Sequence, residues 1–125
     1  MNMRVLVVED HNILQELLHI ALEYEGYQVL LAHDGLEALE QMRTVRPDLI
    51  LLDLSMPPMD GYQFINELDR QGRRSAIPII VLSAYPVTAQ DLAQMHVSAY
   101  FPKPFFLDTL LEKVRQCICS PIPLA

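Results

Sequence analysis

At 125 residues the chain is large enough to bury one core and too short for two. Its hydrophobic content of 51% suits a domain whose central strands are covered on both faces, and no apolar run approaches the roughly 20 residues of a membrane span. A formal charge of −7 argues against a direct grip on nucleic acid, and Met1-Asn2-Met3-Arg4 leads into a strand pattern instead of a signal peptide, so a cytoplasmic location is expected.

Five short apolar runs alternate with amphipathic segments. Arg4 to Val8 is followed by Glu9-Asp10 and then by Leu14, Leu17, Leu18, Ala21 and Leu22 at helical spacing, with Gly26 as a stop. Gln28 to Ala32 precedes a helical repeat of Leu36, Leu39 and Met42. Leu49 to Asp53 runs into the turn-rich stretch Leu54-Ser55-Met56-Pro57-Pro58-Met59-Asp60-Gly61, after which Phe64, Ile65 and Leu68 mark a helix that Gly72 ends. Ile79 to Ser83 and Ser98 to Phe101 complete the strands, and Leu107, Leu110, Leu111, Val114 and Ile118 form the last helical stripe. The expected domain spans residues 1–119, with 120–125 as a tail or the stub of a linker.

Strands alternating with helices require right-handed crossovers, which give a parallel sheet with helices on both faces, a three-layer α/β sandwich. The second and fifth runs are the more polar and read as edges; Pro102, lacking an N–H donor, fits an edge-strand end. The predicted strand order is therefore 2-1-3-4-5, the flavodoxin-like arrangement in which the first and third strands are neighbours at the switch point.

That order brings Glu9, Asp10 and Asp53 to one sheet edge, and three clustered carboxylates need a cation. Ser83 and Lys103 fall at the ends of the fourth and fifth strands. A carboxylate, a divalent cation, an ammonium and a hydroxyl suit phosphoryl transfer to the carboxylate, and Mg²⁺ fits because it binds through one or two carboxylates while keeping several waters. Taken singly, Asp10 reads equally as an N-cap, whereas Lys103 reads better as a solvated loop residue and Ser83 as a polar strand end; Asp60 reads better as a cap or turn residue than as a ligand. Joint placement at four strand ends favours the functional reading. Cys117 and Cys119 lie on different helix faces and are assigned no function, and His11, His19, His33 and His96 show no ligand spacing.

The chain resembles the receiver domain of two-component response regulators over essentially its whole length. The residues that carry the resemblance are Val7-Val8-Glu9-Asp10, Leu51-Leu52-Asp53-Leu54, Met56-Pro57-Pro58-Met59-Asp60-Gly61, Ser83-Ala84 and Lys103-Pro104-Phe105. The resemblance implies that Asp53 accepts a phosphoryl group from a phosphohistidine on a sensor histidine kinase or phosphotransfer domain. It implies that Glu9, Asp10, Asp53 and the backbone carbonyl of Ser55 hold Mg²⁺, that Lys103 contacts the phosphoryl group, and that Ser83 bonds it once attached. Ser83 and Tyr100 would form the switch, and the fourth helix, fifth strand and fifth helix the output face, with homodimerisation there suggested by Phe101 and Phe106. The exposed side of the first helix would dock the kinase, and Ser55 and Tyr85 would tune hydrolysis of the acyl phosphate. Two departures stand out: the segment from Ser83 to Tyr100 is short for the family, predicting a short or displaced fourth helix, and His96 replaces a small residue before the fifth strand.

Other readings weigh less. An Mg²⁺-dependent hydrolase with an aspartyl-phosphate intermediate generally has a second Asp two residues after the nucleophile, where this chain has Ser55. A flavin or nucleotide binder lacks its Gly-rich loop after the first strand. A receiver-like module that only binds partners is disfavoured because all five site residues are present.

Overall fold

The computed structural model describes residues 2–54, 60–74 and 77–119. Five strands, β1 (Arg4–Val8), β2 (Gln28–Ala32), β3 (Leu49–Asp53), β4 (Ile79–Ser83) and β5 (Ala99–Pro102), alternate with five helices, α1 (Asn12–Tyr24), α2 (Gly35–Gln41), α3 (Gly61–Arg70), α4 (Ala89–Met95) and α5 (Leu107–Cys119). All pairings are parallel and the order is β2-β1-β3-β4-β5, as the distribution of polar residues predicts.

Alternation along the strands splits the core in two. Leu6, Val8, Ile50, Leu52 and Val81 pack with Phe64, Ile65 and Leu68 of α3. Val5, Val7, Leu49, Leu51, Ile80 and Leu82 pack with Leu18 and Leu22 of α1 and with Leu110 and Val114 of α5. Covering both faces leaves β1, β3 and β4 almost wholly apolar, so polar side chains are held back to the strand ends.

Local signals account for most boundaries. Asp60 caps α3 in a capping box with Gln63, and Gly26 and Gly72 follow α1 and α3 with φ of 99° and 68°. The cap of α1 is His11, not Asp10: His11 Nδ1 accepts from the Leu14 N–H at 3.4 Å. The fifth strand lies one residue later than expected, because the Ser98 N–H donates to Ile79 O at 2.8 Å as a lead-in while Pro102 pairs with Ser83. Helix α4 is short, capped by Thr88, and ends at His96 in the left-handed region (φ 54°, ψ 48°), a conformation that costs a residue with a Cβ about 1 kcal/mol.

Candidate functional site

The site is assembled from the ends of four strands. Glu9 directly follows β1, and its N–H donates to Ala32 O at 3.0 Å, carrying the β1–β2 ladder one residue beyond β1. Its carboxylate is fully buried, with Oε2 accepting from the His11 N–H at 3.1 Å. Asp53 closes β3 and is also buried, whereas Asp10 is exposed at the mouth. One carboxylate oxygen from each of Glu9, Asp10 and Asp53 lies within 4.8 Å of the other two.

The third strand reaches the site without obstruction because of one glycine. The Gly61 N–H donates to Leu54 O at 3.0 Å, and a Cβ on Gly61 would sit 2.6 Å from Leu54 Cδ2 and 2.8 Å from Leu54 Cα. Only a residue without a side chain lets the start of α3 close on the backbone behind Asp53. Ser55, expected to offer its carbonyl, lies outside the described residues.

Lys103 enters from β5. Its N–H donates to Ser83 O at 2.7 Å and its Nζ reaches Glu9 Oε1 at 2.9 Å and Asp53 Oδ2 at 3.4 Å. The Lys103–Pro104 peptide bond is cis. Burial works against the Lys103 ammonium, but the hydrogen bond and charge of Glu9, with Asp53 behind them, hold its pKa above the ordinary lysine value. Burial pushes the Glu9 carboxyl up from 4.5, and the neighbouring Asp53 charge adds to the rise; the Lys103 and His11 hydrogen bonds only partly offset it. Two of the three carboxylates, Glu9 and Asp53, are buried beside one ammonium, and Asp10 stands exposed within reach of both. Their hard oxygen donors fit a cation such as Mg²⁺, with Asp10 on the solvent side.

Ser83 is buried at the end of β4, but its hydroxyl is turned to its own loop, donating to Tyr85 O at 2.8 Å and accepting from the Tyr85 N–H at 3.1 Å. Tyr100 is half-buried in β5 and pairs with Val81, while Pro102 pairs with Ser83, so Tyr100 and Ser83 share one face of adjacent strands. Above the carboxylates a cleft of about 640 Å³ opens between Leu14 and Leu17 of α1, Ala84 and Tyr85 after β4, and Pro104 and Phe105 after Lys103. The outer face of α1 continues it with Ile13, Ile20 and Tyr24 exposed; Leu17, part of the apolar repeat, is half outside the core. Phe101 is drawn inward, edge-on to Phe105 at 6.4 Å, and Phe106 stays exposed.

One buried polar residue escapes sequence reasoning. Gln15, from α1, donates through Nε2 to Glu9 O and to Ala32 O, both at 3.1 Å. Its only signal is position: it lies three and seven residues before the buried Leu18 and Leu22, a polar side chain on the buried stripe.

A family model for the response regulator receiver domain matches residues 5–115. The response regulator MprA of Mycobacterium tuberculosis is 40% identical over 117 residues, 92% of this chain and 50% of that protein. The chain thus spans about half the length of the curated relatives it matches. Among solved structures, response regulator TrrA from Thermotoga maritima in complex with Mg²⁺-BeF superposes with a TM-score of 0.80 at 35% identity, covering 91% of this chain and 97% of that one. The receiver domain of sensor histidine kinase PA1611 from Pseudomonas aeruginosa, with magnesium coordinated in its active-site cleft, superposes with a TM-score of 0.84 at 30% identity, covering 96% and 100%. Among the described residues no helix is long and apolar enough to cross a membrane.

Proposed function

Because this chain belongs to the response regulator receiver domain family of two-component signalling, we propose that Asp53 is its phosphoacceptor. An Asp53 carboxylate oxygen attacks the phosphorus of a phosphohistidine on a histidine kinase or phosphotransfer protein. An O–P bond forms as the N–P bond breaks, and the electron pair returns to the imidazole nitrogen. The observation that carries this reading is the convergence of Glu9, Asp10 and Asp53 within 4.8 Å with Lys103 reaching two of them.

Glu9 and Asp10, with Asp53 and the main-chain carbonyl of Ser55, would hold Mg²⁺, whose chemistry when bound is to offset the repulsion between carboxylate and phosphoryl oxygens. Lys103 holds a phosphoryl oxygen from the β5 side, exchanging its present carboxylate partners for the new anion. Ala84 leaves room beside the phosphoryl group. Ser83 abandons the Tyr85 backbone to donate its hydroxyl to a phosphoryl oxygen, and Tyr100, on the same sheet face, rotates into the vacated space. The new charge thereby selects between two packings of α4 and β5.

The acyl phosphate hydrolyses slowly to reset the switch, at a rate that Ser55 and Tyr85 tune, with no metabolite turned over. The cleft rim of Leu14, Leu17 and Phe105 receives the phosphodonor, in the cytoplasm. Residues 1–119 act as the domain, with 120–125 a tail or the stub of a linker, and the α4–β5–α5 face forms a homodimer on phosphorylation, without direct contact of this domain to nucleic acid. Sedimentation with and without Mg²⁺ and beryllofluoride tests the last point; a monomer in both would remove it.

The test of the central reading is intact-protein mass after incubation with acetyl phosphate. A gain of one phosphoryl group that requires Mg²⁺ and vanishes in Asp53→Asn is expected. No adduct from acetyl phosphate or from a phosphorylated kinase would overturn the reading.

A further inference from the structure

We propose that Gln15 is a positioning residue for the divalent-cation site, acting through the peptide between Glu9 and Asp10. The inference rests on the reading of that site given above. Glu9, Gln15, Asp53 and Ser83 are buried polar residues; three of them end strands at the site, and Gln15 alone comes from a helix. A buried amide is costly unless bonded, and an apolar side chain would fill the same space on the α1 stripe without that cost. The Gln15 amide has two hydrogens, and they meet two carbonyls at the ends of neighbouring strands, Glu9 O and Ala32 O, each at 3.1 Å. Ala32 O also accepts from the Glu9 N–H at 3.0 Å, so Gln15, Glu9 and Ala32 close a ring of bonds where the β1–β2 ladder ends.

The consequence lies one bond further on. The carbonyl of Glu9 and the N–H of Asp10 belong to one planar peptide, so holding the Glu9 oxygen fixes the plane from which Asp10 leaves the strand. Asp10 is the exposed member of the three carboxylates, and burial does not hold it in place as it does Glu9 and Asp53. Gln15 therefore supplies from below the order that Asp10 lacks from above, pre-setting two of the three carboxylates for one cation.

The experiment is calorimetric titration of the full chain with Mg²⁺, comparing wild type with Gln15→Met, which keeps length and loses both donors. Leu22→Ala, at the far end of α1, serves as an equally buried control that destabilises without touching the site. Gln15→Met should bind Mg²⁺ about tenfold or more weakly, as outer-shell substitutions do. Its phosphorylation rate at saturating Mg²⁺ should stay near wild type, and Leu22→Ala should bind as wild type does. If Gln15→Met does not fold, Gln15→Asn, which keeps the amide but is too short to span both carbonyls, should show the same weakening. Undiminished affinity in the folded Gln15 variant, or equal weakening in Leu22→Ala, would overturn the inference while leaving the cation site standing. A wild type that does not bind Mg²⁺ would overturn the site and the inference together.

Discussion

Lys103 Nζ and Glu9 Oε1 meet at 2.9 Å although 94 residues separate them, and Glu9 is buried without access to water. The pair ties β5 to β1 across β3 and β4 and gives Glu9 its cationic partner. Lys103→Met removes the ammonium and keeps the stem. In Mg²⁺-free buffer it should lower stability by about 2 kcal/mol, the scale of leaving a buried carboxylate short of a partner. Phosphorylation from acetyl phosphate should fall roughly 100-fold, as for loss of one preorganised charge-stabilising donor. Urea midpoints and phosphorylation rates check the two parts separately.

The Glu9 carboxyl, pushed above 4.5 chiefly by burial, makes a prediction with a definite sign. A folded pKa above the unfolded one means that the folded state holds its proton longer. The stabilising contribution is complete below the unfolded pKa and is lost as pH rises through the folded value. Without divalent cation, Glu9→Gln should therefore gain stability relative to wild type as pH climbs from acid to neutral. Added Mg²⁺ should narrow or reverse that difference, because only wild type offers the charged ligand. Paired urea titrations across this pH range, with and without Mg²⁺, read it out; a constant difference would contradict it.

Gly61 is predicted to resist even the smallest side chain. In Gly61→Ala the added methyl meets the Cα of Leu54 at 2.8 Å, where a rotamer change cannot relieve the contact, so a loss of about 2 kcal/mol is expected. Because Asp53 precedes Leu54, Mg²⁺ affinity should fall as well. Denaturation and Mg²⁺ titration of the one variant measure both effects.

Ser83→Ala should separate acceptance from switching. Among the described residues its hydroxyl bonds only the Tyr85 backbone, so stability should change by no more than about 1 kcal/mol. The adduct on Asp53 should still form. The chain has no Trp, so tyrosine fluorescence reports on Tyr100 among 5 tyrosines, with Tyr100→Phe identifying its share. The phosphorylation-dependent change seen in wild type should be lost in Ser83→Ala; its persistence would place the switch elsewhere.

Much of this site is visible in the sequence because burial on both faces leaves a parallel strand no place for a carboxylate except its end. Glu9, Asp10 and Asp53 stand out against apolar runs for that reason, and the polar second and fifth runs supply the strand order that unites them. Helical elements are less transparent. The apolar repeat on α1 includes Leu17, which is half outside the core, and passes over Gln15, because a buried amide is recognisable only once the carbonyls it satisfies are known. Asp10 looks like a cap by composition, yet His11 takes that position and leaves Asp10 facing the cleft. Gly61 reads as a turn residue, and its closeness to Leu54 arises from packing across the β3–α3 connection. The short α4 and the strain at His96 are legible through the resemblance, since both are departures from the family pattern in segment length and in the small residue before the fifth strand.

The most direct measurement of the central claim is chemical trapping of the phosphorylated residue. Borohydride reduction of the protein after Mg²⁺-dependent phosphorylation converts an aspartyl phosphate to homoserine, which peptide mass spectrometry locates. Conversion at Asp53, with Asp10 and Asp60 untouched, is the predicted result; homoserine at another aspartate, or none despite a stable mass adduct, would contradict it.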